Sequence, residues 1–467
     1  MDALKLCASS FGAEHLGAAE LGDKRLTDRL VYCADQIMQH PHGSFPDKFK
    51  DPEDLEAFYR LMASEKVGHA EVLAPHCQRT LRLMEEEVEV VLNLHDTTVL
   101  DYSGLDIDEL GQVGDGHGRG YYCHNSLAVT PKRRVLGLVH QILHRRRHVP
   151  KGETKEQRKK QPDRESLLWK KASQAIPAAP PGKLWVDVAD RGADITEFLD
   201  YEEQAGKHYV VRSQHNRLVE IGCGEQRHRV KLHDHLRQLP QVETRPLDLP
   251  AGPGRAARRA RLAIAWVELQ LLPPRQSRGG ERGVPLRVWA IRVWEPNPPH
   301  GSERLEWLLL TNVEVTSVAD AWERVAWYSC RWMIEEYHKV QKTGCEIERM
   351  QFCYAERLQP AIALMSVVAV WLLQLRDASR DAQVQSQPAV QWVPLLWVEV
   401  LSTWRHGEDR RDWTLREYFM ALARLGGHQN RKSDHPPGWL VLWRGWTELQ
   451  TMLAGALILR RKRCGVT

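Results

Sequence analysis

The sequence predicts a mixed α/β core with an antiparallel β insertion, flanked by helical regions at both ends. Three observations carry this. Residues 15–85 repeat apolar side chains at helical spacing. Short runs rich in β-branched residues, separated by helical stretches, fill the middle. From Ser317 onward the pattern is helical again. Helices are read from apolar residues at i, i+3, i+4 and i+7, and buried strands from continuous apolar runs of about 4–8 residues.

In HLGAAELGDKRLTDRLVYCADQIMQ, Leu26, Leu30 and Ile37 fall on one helix face, with Lys24, Arg25 and Arg29 on the polar side. Asp51-Pro52 caps a second helix over 54–62, because a short polar side chain followed by proline satisfies the first turn. A third helix runs over 69–87. VEVVLNL (88–94) reads as a strand ending at His95-Asp96-Thr97-Thr98. Further strands are expected at 135–143, 184–188 and 209–212. Between 219 and 305, alternations such as LAIAWVELQLL and LRVWAIRVW are broken by PAGPGRAARRAR and PPRQSRGGERG, which predicts an antiparallel insertion with basic loops. Residues 318–346 form one long amphipathic helix, 359–376 a buried apolar helix, 377–395 a polar linker, and 396–467 a last helical unit. The expected units are 1–70, 71–376 with the insertion at about 219–305, and 377–467.

With 467 residues, 42% hydrophobic and 27% charged, the chain can bury a large core, which excludes wholesale disorder. The longest apolar run, 361–373, makes a helix of ~20 Å, short of a ~30 Å hydrocarbon core, so no membrane span is expected. The start MDALKLCASSFGAEHLG lacks a charged region followed by an apolar core, so no secretory leader is expected. Nine cysteines without a CxxC pair fit a reducing cytoplasm and argue against a zinc ribbon. A net charge of +4 is uninformative by itself. Its distribution is not: 145–160 holds eight basic and two acidic residues, 255–261 holds four Arg, and 460–463 is RRKR. Any one such cluster reads equally as a solvated loop. Three on a near-neutral chain point to a polyanion.

Asp96 follows an apolar strand, where a carboxylate sits at a sheet rim on a rigid backbone and suits a metal ligand. A turn or cap role explains it as well. Asp190 repeats the pattern after LWVDV, with Asp187 inside the strand and Asp194 near the next helix as rivals, and spacing does not choose between Asp190 and Asp187. In YSCRWMIEEYHKVQK, at ~100° per residue with Tyr328 at 0°, Arg331 falls at ~300°, Glu335 at ~340° and Lys342 at ~320°. Trp327, Met333, Ile334, Tyr337 and Val340 lie opposite. An ordinary Arg331–Glu335 ion pair explains two members of this stripe, but not an aligned phenol and a second cation. Glu336 lies ~100° off the stripe.

LGDKRLTDRLV (21–31), HDTT (95–98), ADRGADI (189–195), YVVRSQH (209–215), EWLLLTN (306–312), YSCRWMIEEYHKVQKTG (328–344), ALARLGGHQN (421–430) and WLVLWRGWTELQ (439–450) run the length of the chain. Together they resemble the DDE transposases of the insertion-sequence-four family. The Y-x2-R-x3-E-x6-K signature is met by Tyr328, Arg331, Glu335 and Lys342. The resemblance implies an RNase H-like catalytic core and selects Asp190 as the second carboxylate. Asp96, Asp190 and Glu335 would then bind two Mg²⁺ ions, with Mn²⁺ able to substitute. Tyr328, Arg331 and Lys342 would hold a DNA phosphate near the cut. Trp307 would stack on a base flipped from the duplex, and Arg212 and His215 would contact DNA near the active site. The N-terminal helices would read transposon ends, and the C-terminal helices would pair two protomers.

What the resemblance implies is a cut-and-paste transposase of bacterial cytoplasm, associated with the nucleoid. It would nick each end, form and reopen a hairpin, and join the 3′-OH to target DNA. Its partners are double-stranded DNA and a second copy of the chain, with no membrane. A non-catalytic DNA-binding regulator and a stand-alone nuclease are the competing readings. The intact triad argues against the first, and the helical regions at both ends argue against the second.

Overall fold

The structure is a computed structural model. It describes residues 10–463 apart from 40–42, 148, 151, 155–156, 159, 223–226, 250–256, 274–283, 302–303, 432–433 and 435, and the side chains of 460–463. The glycine-rich loop at 274–283, the start of the Arg-rich 255–261 stretch and the RRKR side chains at 460–463 therefore lie outside the described residues.

One mixed sheet organises the molecule. Its strands are β1 (Val91–Asp101), β2 (Gly111–Val113), β3 (Gly118–Val129), β4 (Val135–His144), β5 (Trp185–Ala189), β6 (His208–Arg212), β7 (Leu218–Ile221), β8 (His228–Lys231), β9 (Glu243–Leu249), β10 (Arg258–Leu271), β11 (Leu286–Trp294) and β12 (Glu306–Thr311). The order is β2-β3-β1-β5-β6-β12-β11-β10-β7-β8, with β4 on β3 and β9 on β10. β1, β3 and β4 form an antiparallel meander, and β5 and β6 continue from β1 in parallel. The insertion continues this same sheet: β12 pairs with β6, opposing Leu309 to Arg212, so its last strand ends at Thr311 rather than near 305.

β1 runs through Asp96 to Asp101 instead of ending there, so the sequence boundary at 88–94 is displaced by several residues. β3 escapes the sequence reading altogether. Its centre carries His124, Asn125 and Ser126, all fully buried, and that polar run hides a strand whose pattern should be apolar. Most of their polar atoms find internal partners, as buried groups usually do: His124 Nδ1 meets Thr97 Oγ1 at 2.8 Å and Ser126 Oγ meets His95 Nδ1 at 2.9 Å, although His124 Nε2 has none among the described residues. Gln141 Nε2 donates to Asn125 Oδ1 at 2.7 Å and to Ser366 Oγ at 3.0 Å, and Asn125 Nδ2 meets His338 Nε2 at 3.1 Å. This network ties β3 and β4 to the helices behind them.

The expected helix over 318–346 is interrupted. A capping box of Ser317 and Asp320 starts the Val318–Ser329 helix, and the chain breaks at Cys330–Arg331. It resumes as Trp332–Lys339 and widens into a π-helical turn over Val340–Gly344. The buried helix is longer than its apolar run, Ala355–Ala378. Twenty-four residues are long and apolar enough to cross a membrane by composition alone, so the length argument against a span fails. Its burial is that of a core helix: 94% of the apolar window is covered by protein.

The 377–395 stretch is packed rather than a free linker, burying Val384, Ala389, Trp392 and Val393. In the C-terminal unit, the Leu415–Leu425 and Trp439–Arg463 helices cross so closely that a Cβ on Gly426 or Gly445 would strike the other helix's backbone. The Trp-rich face is consumed within the chain. Trp443 Nε1 donates to the Gly344 carbonyl at 3.1 Å, Trp446 Nε1 donates to the Met38 carbonyl at 3.2 Å, and Leu442, Leu449 and Leu453 are buried. The composition of this helix therefore does not call for a second protomer. Among the described residues, Leu457, Ile458 and Leu459 are the large apolar side chains left exposed at its end.

Candidate active site

Asp96 stands mid-strand on β1, opposite Asn125 of β3, and its carboxylate takes the Thr97 N–H at 2.8 Å. Asp190 follows β5 directly. Its side chain accepts the Gly192 N–H at 2.8 Å, which closes a tight turn and holds the carboxylate at the strand end. Gly192 is required there, since a Cβ would collide with the Trp169 ring. Glu335 comes from the Trp332–Lys339 helix, which the buried His338 three residues later pins to β3.

Arg331 joins the pieces. Its guanidinium donates to Glu335 Oε1 at 2.6 Å and reaches Asp96 Oδ2 at 3.4 Å. Burial, then the charge of Asp190 and lastly that of Glu335, push the Asp96 carboxyl up to about 6, against opposing pulls from the Thr97 N–H and Arg331. Three carboxylates from two strands and a helix thus share one electrostatic neighbourhood.

The rivals have other work. Asp187 is buried on the opposite face of the strand, accepting from Asn93 Nδ2 at 2.9 Å with His95 Nε2 at 3.4 Å. Asp194 is fully buried and organises the loop after β6: it takes the N–H groups of Gln214 and His215 at 2.7 and 3.0 Å and pairs with Arg217. It does not cap the following helix.

Tyr328 and Arg331 are buried, not displayed on an exposed stripe; Tyr328 is 2% exposed. Burial raises the Tyr328 hydroxyl pKa above its ordinary value, and Arg331 and Arg212 pull the other way, Arg331 also by hydrogen bond. Trp307 packs edge-on against the Tyr328 ring at 5.1 Å. Arg212 donates to the Glu306 carbonyl at 3.2 Å and lies beside Tyr328. Lys342, on the π-helical turn, pairs with Glu348 at 3.0 Å rather than with Glu335. A π turn advances by fewer degrees per residue than the α-helical wheel assumes, which moves Lys342 off the predicted azimuth. His215 is exposed on its loop and makes no side-chain contact with the carboxylate cluster among the described residues.

One residue of the site went unnoticed in the sequence. Trp332 is 54% exposed, with the Arg331 guanidinium 5.2 Å from its ring centre. The same wheel puts it at ~40°, beside Tyr328, which was the available signal. In the basic 145–160 stretch, Arg146 pairs with Glu165 and stacks over Tyr122, and Arg147 and Arg158 pair with Glu153, while Lys151, Lys155 and Lys159 lie outside the described residues.

A donor set of three hard oxygen ligands suits Mg²⁺. Burial and the neighbouring carboxylate charges that raise the Asp96 pKa are what a divalent cation would offset, so the residues fit the metal. Among the described residues, no three His, Cys, Asp or Glu side chains are gathered closely enough to grip an ion as they stand. Arg331 bridges two of the carboxylates instead. Residues 8–67, covering the first helices and their exposed Lys24 and Arg25, match the protein family described as "Transposase DNA-binding"; the chain therefore carries the DNA-binding domain of a transposase at its N-terminal end.

Proposed function

We propose that the protein is a DDE-type transposase that cuts and rejoins DNA at transposon ends. The observation that carries this reading is the convergence of Asp96, Asp190 and Glu335 around Arg331, in a chain whose N-terminal helices match a transposase DNA-binding domain. Asp96, Asp190 and Glu335 would hold two Mg²⁺ ions, with Mn²⁺ as a substitute. When bound, the metals supply two-metal phosphoryl-transfer chemistry, activating the attacking oxygen and stabilising the leaving one.

The chain's own residues do the rest. Arg331, released from the carboxylates, offers a bidentate fork to a phosphate, and Tyr328 and Lys342 add a hydroxyl and a point charge. Trp307, held against Tyr328, presents a ring on which an unstacked base can rest; Arg212 and His215 flank the same edge of β6 and the loop after it. The meander β4-β3-β1 followed by parallel β5 and β6 supports an RNase H-like core. The hairpin step, strand transfer to a target and action at a bacterial nucleoid rest on the resemblance to the insertion-sequence-four family. Pairing of two protomers, which coordinated cutting of two ends requires, has the exposed Leu457–Leu459 tip as one apolar surface.

The test is cleavage of a labelled duplex carrying the inverted repeats that flank the reading frame, with Mg²⁺. Wild type should nick at the repeat boundary. Binding without cleavage under all metal conditions would favour the non-catalytic regulator.

A further inference from the structure

A cleft of about 220 Å³ opens in the C-terminal unit between the Leu395–His406 and Leu415–Leu425 helices. Arg405, Arg410 and Arg424 line it, with His406, Trp413 and Glu417. Two features set it apart from an ordinary charged surface. Neither Arg405 nor Arg424 has an ion pair among the described residues, and Arg410 meets only the exposed Asp412, at 3.2 Å. The lining holds one carboxylate, Glu417, which accepts from the Thr414 N–H and hydroxyl at 2.8 and 2.9 Å in a capping box and acts on Arg410 through space. Three guanidiniums set against Glu417 and the neighbouring Asp412 leave the cleft net positive.

The second feature is Trp413. The residue is 1% exposed, packed edge-on to His406 at 5.6 Å, and its indole N–H has no hydrogen-bond partner among the described residues. A buried donor left unpaired costs about 1–3 kcal/mol, so it is a place where a missing acceptor is expected. The lining offers three guanidinium forks against one carboxylate, with the unpaired indole N–H buried beside them. That chemistry matches the several acceptor oxygens of a phosphate better than a single carboxylate. The volume is below the roughly 300–1,000 Å³ of drug-sized sites, which suits one small anionic group.

We propose that this cleft is a phosphate-binding site, using none of the residues of the carboxylate cluster, and that a backbone phosphate of DNA is its occupant. The choice of DNA as the source rests on the DNA-binding reading above; the anion site itself does not. It would give the C-terminal unit its own grip on the duplex.

The experiment follows the ¹⁵N–¹H signal of the Trp413 indole in the full-length protein, assigned by its absence in Trp413→Phe. Inorganic phosphate and a short duplex are titrated separately. A shift with the duplex supports the proposal with DNA as the source. A saturable shift with phosphate alone supports the anion site and replaces DNA by a free phosphorylated compound. The double variant Arg405→Ala/Arg424→Ala, altering two exposed side chains, should abolish either shift and lower the salt slope of DNA binding by about two units. A Trp413 signal unmoved by both ligands, or an undiminished response in the double variant, overturns the proposal. Asp96→Ala should keep the phosphate or duplex response even though it cannot cut, so failure of the catalytic reading and failure of this one are separately visible.

Discussion

The two faces of the β1–β5 strand pair treat their carboxylates in opposite ways. On one face Asp96 and Asp190 lie partly open beside Arg331 and Glu335, and burial, followed by the charge of Asp190, lifts the Asp96 pKa to about 6. On the other, Asp187 is sealed with Asn93, His95, Lys207 and Glu202. There burial pushes the Asp187 carboxyl up, but His95, Lys207 and the Asn93 amide outweigh it and hold it below the ordinary value. Glu202, buried beside that charge, is driven well above its ordinary range. Successive strand residues point to opposite faces. Asp187 and Asp190, three residues apart in sequence, are therefore assigned to different jobs by parity: one locks the strands together, the other faces the cleft.

The sharpest way to break this contrast is to truncate one carboxylate on each face. Asp190→Ala, like Asp96→Ala and Glu335→Ala, should lower Mg²⁺-dependent cleavage by roughly a thousandfold or more with end binding retained. Glu336→Ala should still cut, because Glu336 pairs with Arg376 outside the cluster. Cleavage near wild type in any of the first three would remove that residue from the site. Asp187→Ala should instead cost about 3–5 kcal/mol of stability in urea melts, since it strands a buried partner set. A melt indistinguishable from wild type would show that the closed face contributes no lock.

A gentler change tests the sign of the Asp96 shift. Its folded pKa is raised from 3.8 to about 6, so the folded state holds that proton more tightly than the unfolded chain does. The penalty for its charge is then complete above pH 6 and disappears below pH 3.8. In metal-free buffer, Asp96→Asn should raise unfolding free energy at pH 8 by about 1–3 kcal/mol, with the gain gone by about pH 3.5. A pH-independent gain would point to packing rather than charge. The smallest effect is expected from Lys342→Ala, which should reduce the salt slope of DNA binding by about one unit. Because Lys342 is held by Glu348, Glu348→Gln should tighten binding modestly; a weaker complex would return Lys342 to a purely structural pairing.

The sequence made some of this plain and concealed the rest for identifiable reasons. The Lys24–Gln39, Pro52–Met62 and His69–Glu86 helices were readable because Leu30, Cys33, Ile37 and their like keep strict helical spacing and are buried as that spacing demands, whereas the short Phe11–Leu16 and Phe45–Lys48 helices hold too few turns to show a period. The inward side of the Glu335 helix was readable for the same reason. The inwardness of Tyr328 and Arg331 was not, because a wheel assumes an unbroken helix and this one bends before Trp332 and loosens at Val340. β3 was concealed by His124, Asn125 and Ser126: His124 and Ser126 are met by Thr97 and His95 of β1, and Asn125 by Gln141 of β4 and by His338 more than two hundred residues away, partners that no local pattern contains. At the C-terminus a Trp-rich helix needs a covering surface, and the chain supplies its own.

The contact from Trp446 to Met38 spans 408 residues. A ribosome adding roughly 5–20 residues per second needs on the order of 20–80 s to bridge that interval. Throughout it, the helix ending at Gln39 waits without the indole that will cap its Met38 carbonyl. The N-terminal DNA-binding fold is thus finished last, although it is made first, and a prematurely terminated chain would present it without this closing contact.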